Sequence, residues 1–235
     1  MPDTLSIRSY STKPASHSHN YDQLVLPLSG VIAIRVGDFD GKVAPGECVI
    51  VRKHEEHFFA ANPEARFVVA DMHAMPHNLA CFNGEVFALK RSFLTYLSFV
   101  GQQLEQQVNT ELERAMFRTF YLLLAEQTLL PKVDNRIGSS LMFIEQNIQH
   151  QLSITMLAKV ACLSSTQFKV LFKKQTGLTA MAYVAKLRME KAQALLVHTD
   201  YSLQMVAEMV GYSELSTFSR KFSQQFGLSP GKFKK

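Results

Sequence analysis

Four residues near the C-terminal end of this 235-residue chain recur at one fixed spacing. Phe168, Phe172, Gly177 and Leu178 return as Phe218, Phe222, Gly227 and Leu228, each 50 residues on. Upstream, Leu157-Ala158 returns as Val206-Ala207, 49 residues on, so a one-residue difference falls in the turn between the matched blocks. A period of this length holding a helix, a tight turn and a helix predicts a duplicated helix-turn-helix. In the first copy Ser153 is placed to cap a helix from Ile154 to about Ala161, and Cys162-Leu163 turns the chain. Ser164-Ser165-Thr166-Gln167 matches the capping box that opens a second helix, ending near Gln175 with Gly177 near its C-cap. In the second copy Ser202 caps Leu203–Val210, Gly211-Tyr212 turns, and Ser213 caps a helix that stops at Gly227, with Pro230 beyond it. Ala158 and Ala207 are small where the two helices of such a motif cross. Gly211 suits a left-handed turn residue, and its counterpart Cys162 either tolerates that turn or avoids it.

Helical phase separates inward from outward residues. At about 100° per residue, Phe168 and Phe172 face inward while Thr166, Val170 and Lys173 lie opposite, flanked by Gln167 and Lys169. In the second copy Phe218, Phe222 and Phe226 face inward, and Ser216, Arg220 and Gln224 lie opposite, with Thr217 beside them. Small polar residues and an arginine in the first turns suit base edges in a major groove. Arg220 either donates two hydrogen bonds to one guanine or touches only phosphate or solvent. The intervening stretch Met181–His198 reads as one helix of about 27 Å, long enough to hold two reading helices about one DNA turn, 34 Å, apart. Along it Lys186, Arg188 and Lys191 are placed for phosphate or for carboxylates of their own domain. Lys232, Lys234 and Lys235 at the tail read as charge for a nucleic-acid backbone. Residues 1–130 carry 11 basic and 14 acidic side chains, residues 131–235 carry 14 and 6. The basic half therefore either meets a polyanion or presents a solvated basic surface.

The acidic half has a different texture. Leu24–Leu28, Val31–Val36, Cys48–Val51 and Phe67–Ala70 are short apolar runs divided by Ser29-Gly30, Gly37-Asp38, Asp40-Gly41, Pro45-Gly46 and Asn62-Pro63, which predicts a small antiparallel sandwich or barrel. From residue 86 the period changes. Phe93, Leu97, Val100 and Leu104 share one helical face, as do Leu112, Met116, Phe120 and Leu123. A second stripe of Phe117, Tyr121 and Leu124 asks for a further partner, either another subunit or the chain's own barrel. Residues 131–135 read as a linker, and Ile137, Leu141, Ile144 and Ile148 open the helical half. No apolar run reaches the length of a membrane span, the first twenty residues lack the apolar core of a signal peptide, and the three cysteines are scattered without a C-x-x-C pair. These features predict a protein of the reducing cytoplasm without membrane association.

The expected fold is α+β in two domains: residues 1–84 a small antiparallel β-barrel, 85–130 a helical dimerisation or coupling segment, 131–136 a linker, and 137–235 an all-α domain. The last holds helix-turn-helix motifs at about 153–176 and 202–227, joined by a long helix at about 181–198.

The combination of Leu157-Ala158, Ser164, Phe168, Phe172-Lys173 and Gly177 with Tyr183, Arg188, Lys191-Ala192, and then Val206-Ala207, Gly211-Tyr212, Phe218, Phe222, Gly227 and Pro230, resembles the DNA-binding domain of AraC-type transcription regulators. The resemblance covers about 100 residues and implies two reading helices in successive major grooves of double-stranded DNA. Carried onto matching positions, it puts DNA contacts at Ser165, Thr166, Lys169 and Val170, then at Leu215, Ser216, Thr217 and Arg220; Lys173 joins them by phase. Thr166 and Val170 suit thymine methyls or shape more than hydrogen bonding, or Val170 is neutral.

Such regulators often carry a cupin-like effector domain. His17-Ser18-His19, Gln23 and Gly30 resemble the first cupin motif, and Gly46 with His57 approximates the second. His17, His19, Gln23 and His57 are therefore the candidate effector-binding residues, with His17, His19 and His57 as metal ligands if a divalent ion is present; none is required. Gln23 stands where a cupin has a carboxylate, and Arg52 and His54 where it has Pro and Gly. The histidines serve a metal, hydrogen bonds to an organic effector, or a polar barrel mouth. The implied protein is a one-component regulator rather than an enzyme, with a small-molecule effector, a homodimer through 86–130, and RNA polymerase as partner if it activates. The alternatives are a metal sensor using the three histidines with Cys48 nearby, a cupin enzyme fused to a helical module, for which Gln23 is the wrong ligand, and a helical interaction module that does not bind DNA.

Overall fold

A computed structural model of the chain describes residues 3–127, 129 and 134–234, and divides it into two compact units, Met1–Lys132 and Val133–Lys235. The first contains strands β1 (Thr4–Arg8), β2 (Ala15–His17), β3 (Asp22–Ser29), β4 (Ile32–Val36), β5 (Phe39–Val43), β6 (Glu47–Val51), β7 (His57–Ala61) and β8 (Arg66–Met72), a one-turn helix α1 (His77–Ala80), strand β9 (Val86–Ala88), and helices α2 (Arg91–Gln106) and α3 (Thr110–Ala125). All pairings are antiparallel. One sheet runs β1-β8-β3-β6-β9 and the other β2-β7-β4-β5. The expected barrel is therefore not closed: no hydrogen-bonded ladder joins the two sheets among the described residues. Two of the four edge strands, β2 and β9, are three residues long and too short to stitch the sheets together.

The burial pattern explains why the strands read as continuous apolar runs. Val25, Val49, Val51, Phe67 and Val69 point from the five-stranded sheet into a core shared with Ile32, Ile34 and Val36 of β4. Their sequence neighbours Leu24, Leu26, Cys48, Ile50, Val68 and Ala70 point the other way, onto Phe93, Leu97 and Val100 of α2 and Phe120 and Leu124 of α3. A strand covered on both faces has no polar alternation to show, whereas β4, covered on one, alternates buried and exposed. Pro27 is tolerated in a central strand because the pairing of β3 with β8 shifts register there. The second stripe of α3 stays within this unit: Leu124 is buried, and Phe117 and Tyr121 pack against the same cluster. The stretch read as helical from residue 86 begins instead with β9, and α2 starts at Arg91. Strands β1, β2, β5 and β7 also escaped the sequence reading.

The second unit is all helical: α4 (Asn135–Gln146), α5 (Ile154–Val160), α6 (Ser165–Thr176), α7 (Ala180–His198), α8 (Leu203–Met209), α9 (Leu215–Phe226) and the short α10 (Pro230–Phe233). Residues 131–133 of the expected linker lie outside the described residues; Asp134 caps α4 by accepting from the Arg136 N–H, and 135–136 already belong to that helix. Two cores run side by side along α7. Val184 joins Ile137, Ile144, Leu157, Phe168 and Phe172. Met189, Ala192 and Leu196 join Val206, Val210, Phe218 and Phe222.

The caps of the first copy form as the sequence predicts. Ser153 accepts from Met156 N–H, and Ser164 and Gln167 make the reciprocal capping box. Ser202 caps α8. Ser213 does not cap α9: the N-cap is Glu214, with no side-chain hydrogen bond. Position 214 lies 50 residues after Ser164, in step with the phenylalanines. The turn bonds Leu163 N–H to Ala158 O and Tyr212 N–H to Ala207 O, both 2.9 Å, are still in the 49-residue register. The extra residue of the second copy is therefore Ser213 itself.

Candidate nucleic-acid interface and histidine cluster

Helices α6 and α9 are anchored alike. Phe168, Phe172, Phe218 and Phe222 are fully buried, and the rings of each pair lie 5.3 and 5.7 Å apart. Anchoring one face fixes what the other presents. On α6, Thr166, Lys169, Val170 and Lys173 are exposed and Ser165 is half-buried, Val170 with 67% of its surface free. On α9, Ser216 and Arg220 are exposed and Thr217 is half-buried. Leu215, by contrast, is half-buried, with its side chain packed against the core of the second copy. Neither helix contains an acidic residue, while α6 carries Lys169, Lys173 and Lys174 and α9 carries Arg220 and Lys221. Two equivalent acid-free helices with short polar residues in the first turn and cations after them match what phosphate and base edges attract.

Arg188 has a different part from the one its charge suggests. It is 9% exposed, and its guanidinium donates to the backbone carbonyls of Ile148 at 3.0 Å and His150 at 2.7 Å. It also lies 5.5 Å from the ring centroid of Tyr212. It thus ties the segment after α4 to the turn of the second motif and is unavailable to DNA. In the sequence it stands out as a cation between the two copies and as a member of the AraC-type pattern, and neither signal points to backbone carbonyls as its partners. Of its neighbours, Lys186 lies 3.8 Å from Glu190, and Lys191 is exposed.

In the first unit His17, His19 and His57 come together, each offering one ring nitrogen within 4.8 Å of the others. Strand pairing sets this up. His17 lies directly across from His57, and His19 is two residues past His17. His57 shares the face of β7 that carries Phe59 and Ala61 into the core between the sheets. His17 is exposed, His19 half-buried, and His57 buried. Burial pushes the His57 pKa down to about 4, only partly opposed by its hydrogen bond to the Glu55 carbonyl, and His17 and His19 add to the lowering. Desolvation, then His19, also lowers His17. Burial thus favours the uncharged form of His57 and, to a lesser degree, of His17.

Gln23 does not join the histidines as a donor. It is 1% exposed, and its amide donates to Asp71 Oδ1 at 2.6 Å, while Arg8 holds Asp71 Oδ2 at 2.6 Å. Arg8 and Asp71 were not singled out by sequence; only their cross-strand register reveals them. Cys48 is far from a sensing role: it faces the helices rather than the histidines, is fully buried, and burial pushes its thiol pKa up. No helix of the described residues is long and apolar enough to cross a membrane.

Comparison with known proteins agrees with this geometry. The helix-turn-helix domain family matches residues 157–235. The chain is 27% identical over 224 residues to the probable transcriptional regulator LumQ of Photobacterium leiognathi, covering 92% of this chain and 90% of that one. It is 25% identical over 239 residues to the transcriptional activator RhaS of Escherichia coli, covering 91% and 85%. A transcriptional regulator from Chromobacterium violaceum with an AraC-type DNA-binding domain superposes on 42% of this chain and 88% of its own, at 26% identity and a TM-score of 0.40. These relatives are named as regulators and not as enzymes. Residues 157–235 are a helix-turn-helix DNA-binding domain of the AraC type, and the chain is a DNA-binding transcriptional regulator.

Proposed function

We propose that the regulator reads two successive major grooves with α6 and α9 and that the β-sandwich senses a small effector. The observation that carries the reading is the equivalence of the two helices, each pinned by a buried phenylalanine pair and each presenting an acid-free polar face. Ser165, Thr166, Lys169, Val170 and Lys173 serve one groove; Ser216, Thr217 and Arg220 serve the next, with the backbone of Leu215 at the helix entry. The 19 residues of α7 set the separation of the two helices. The effector lies against the polar end of the sandwich, where His17 and His57 of one sheet and His19 just beyond β2 are near Arg8, Asp71 and Gln23 of the other. Its binding changes how the sheet packs on α2 and α3. Exposed Phe99 and Leu122 on that pair support a homodimer through 86–130. A coupling of about 1–3 kcal/mol between the two ligands suffices for regulation. A protein that reads DNA acts in the cytoplasm of a bacterium, and RNA polymerase is the further partner if it activates.

The test is selection of duplexes from a random pool by the full chain, followed by affinity measurements on the selected site and a scrambled site over a salt series. Sequence preference with a steep loss of affinity as salt rises is expected. Equal, salt-insensitive affinity for both would remove the DNA reading.

A further inference from the structure

The end of the β-sandwich gathers three imidazoles, and one of them, His19, has a buried ring nitrogen with no hydrogen-bond partner. His19 Nδ1 lies 2.7 Å from the Tyr21 carbonyl, and His57 Nδ1 lies 3.3 Å from that of Glu55. A carbonyl only accepts, so in both rings Nδ1 carries the proton and Nε2 keeps a lone pair. His19 Nε2 is buried and has no hydrogen-bond partner. That ring is fixed further by stacking on Tyr21, 4.3 Å between centroids and 7° between planes. A buried lone pair without a donor is costly unless something occupies it. Backbone carbonyls that set the tautomer and aim the remaining nitrogen are the outer support usual for metal-bound histidine.

The spacing fits one ion. Three nitrogens about 2.1 Å from a tetrahedral centre lie about 3.4 Å from one another. From separations of at most 4.8 Å, small rotations of the imidazoles suffice. Strand pairing of His17 with His57 fixes two of the three positions through the backbone. Asp71 on the facing sheet is committed: both its oxygens are taken, by Arg8 and by Gln23, each at 2.6 Å.

We propose that His17, His19 and His57 bind one divalent transition-metal ion through three imidazole nitrogens, with no fourth ligand from Gln23 or Asp71. The remaining coordination positions are open to water or to an oxygen donor of a small ligand. All-imidazole donation selects zinc, copper, nickel or iron over magnesium and calcium, which prefer oxygen. The site goes beyond the regulatory reading and does not depend on it, since the ion is measured without DNA.

The experiment uses the full chain without a polyhistidine tag, stripped by chelator and titrated with Zn2+ against a chromogenic chelator, and with Co2+ followed by its visible absorption. One ion per chain is expected. The double variant His17→Ala/His19→Ala, with its melting in chelator as a folding control, should lose at least about 100-fold in affinity, more than removal of outer support alone. His54→Asn, a neighbouring histidine outside the cluster, should bind as wild type does. Should the double variant fail to fold, X-ray absorption at the zinc edge of the wild-type protein decides: three imidazoles support the site, while fewer, or a sulfur ligand, overturn it. No stoichiometric ion in the wild type, or an affinity unchanged in a folded double variant, overturns it as well.

Discussion

Cys162 and Gly211 occupy the same place in the two copies of the repeat, and both are left-handed, at φ 52° and 82°. The turn demands that backbone whatever the side chain, and cysteine accepts it in the first copy at a strain of about 1–2 kcal/mol. The second copy cannot make the same exchange. A Cβ on Gly211 would sit 2.6 Å from Arg188 Nη2 and 2.8 Å from the Ile148 carbonyl oxygen. Gly211→Ala should therefore lose about 2–4 kcal/mol, from backbone strain together with overlap against a fixed carbonyl. Cys162→Gly removes strain but frees the unfolded chain, and should raise stability by up to about 1 kcal/mol. Urea unfolding followed by circular dichroism separates the two. Equal effects at the two positions would show that the Arg188 contact does not matter.

Arg188 itself is the second test. Two charge-assisted hydrogen bonds to carbonyls, each contributing about 1.5 kcal/mol or more, vanish in Arg188→Ala and leave Ile148 O and His150 O short of a donor. A loss of about 3–4 kcal/mol is expected. Arg188→Lys should recover less than half, because one ammonium on a flexible stem cannot reproduce the planar fork. DNA affinity measured where both variants are folded should fall mainly for two-groove sites. A salt slope reduced by about one on every duplex would instead make Arg188 a phosphate contact.

The C-terminal half was legible because its signals are local and repeated. Capping at Ser153, Ser164 and Ser202, the phenylalanine spacing and the phase of Thr166 and Arg220 all lie within one or two helical turns. Even there the cap of α9 was misplaced at Ser213, since a serine is a better-looking cap than Glu214 and the 50-residue register alone identifies the inserted residue. The β-half was legible only in part. Strands buried on both faces, such as Glu47–Val51, announce themselves as apolar runs; β2 is three residues long and polar, and β7 follows a charged stretch without a turn signal of its own, although the two carry His17 and His57. The Arg8–Asp71–Gln23 network spans residues 63 and 48 apart in sequence, and no local pattern reveals it.

Phe222 measures how much each reading helix depends on its anchor. It is fully buried and meets Phe218, Phe226 and Phe233 at centroid distances of 5.7, 4.6 and 5.2 Å. Phe222→Ala should cost about 3–5 kcal/mol, the transfer of a phenyl ring plus the cavity it leaves. Calorimetry of the full chain should show the transition of the helical unit moving down while that of the β-sandwich stays. An unshifted transition would mean that α9 is not held by this ring.

Arg220 bears most directly on sequence reading. It stands on the exposed side of α9, opposite the buried Phe218 and Phe222, one turn after Ser216. A guanidinium there can reach the O6 and N7 of one guanine, and losing such a bidentate contact costs about 1–3 kcal/mol at one base pair. Arg220→Ala should therefore weaken the selected site by about 5- to 150-fold and accept other bases at a single position, leaving scrambled DNA nearly unaffected. Lys173→Ala on α6 is the contrasting variant. Its ammonium, two turns into the helix and exposed, is placed for phosphate, so it should weaken both duplexes alike and reduce the salt slope by about one. Competition binding on the selected and scrambled duplexes distinguishes the pair. If Arg220→Ala weakens both duplexes equally, the arginine is a backbone contact and the base reading of α9 falls to Ser216 and Thr217.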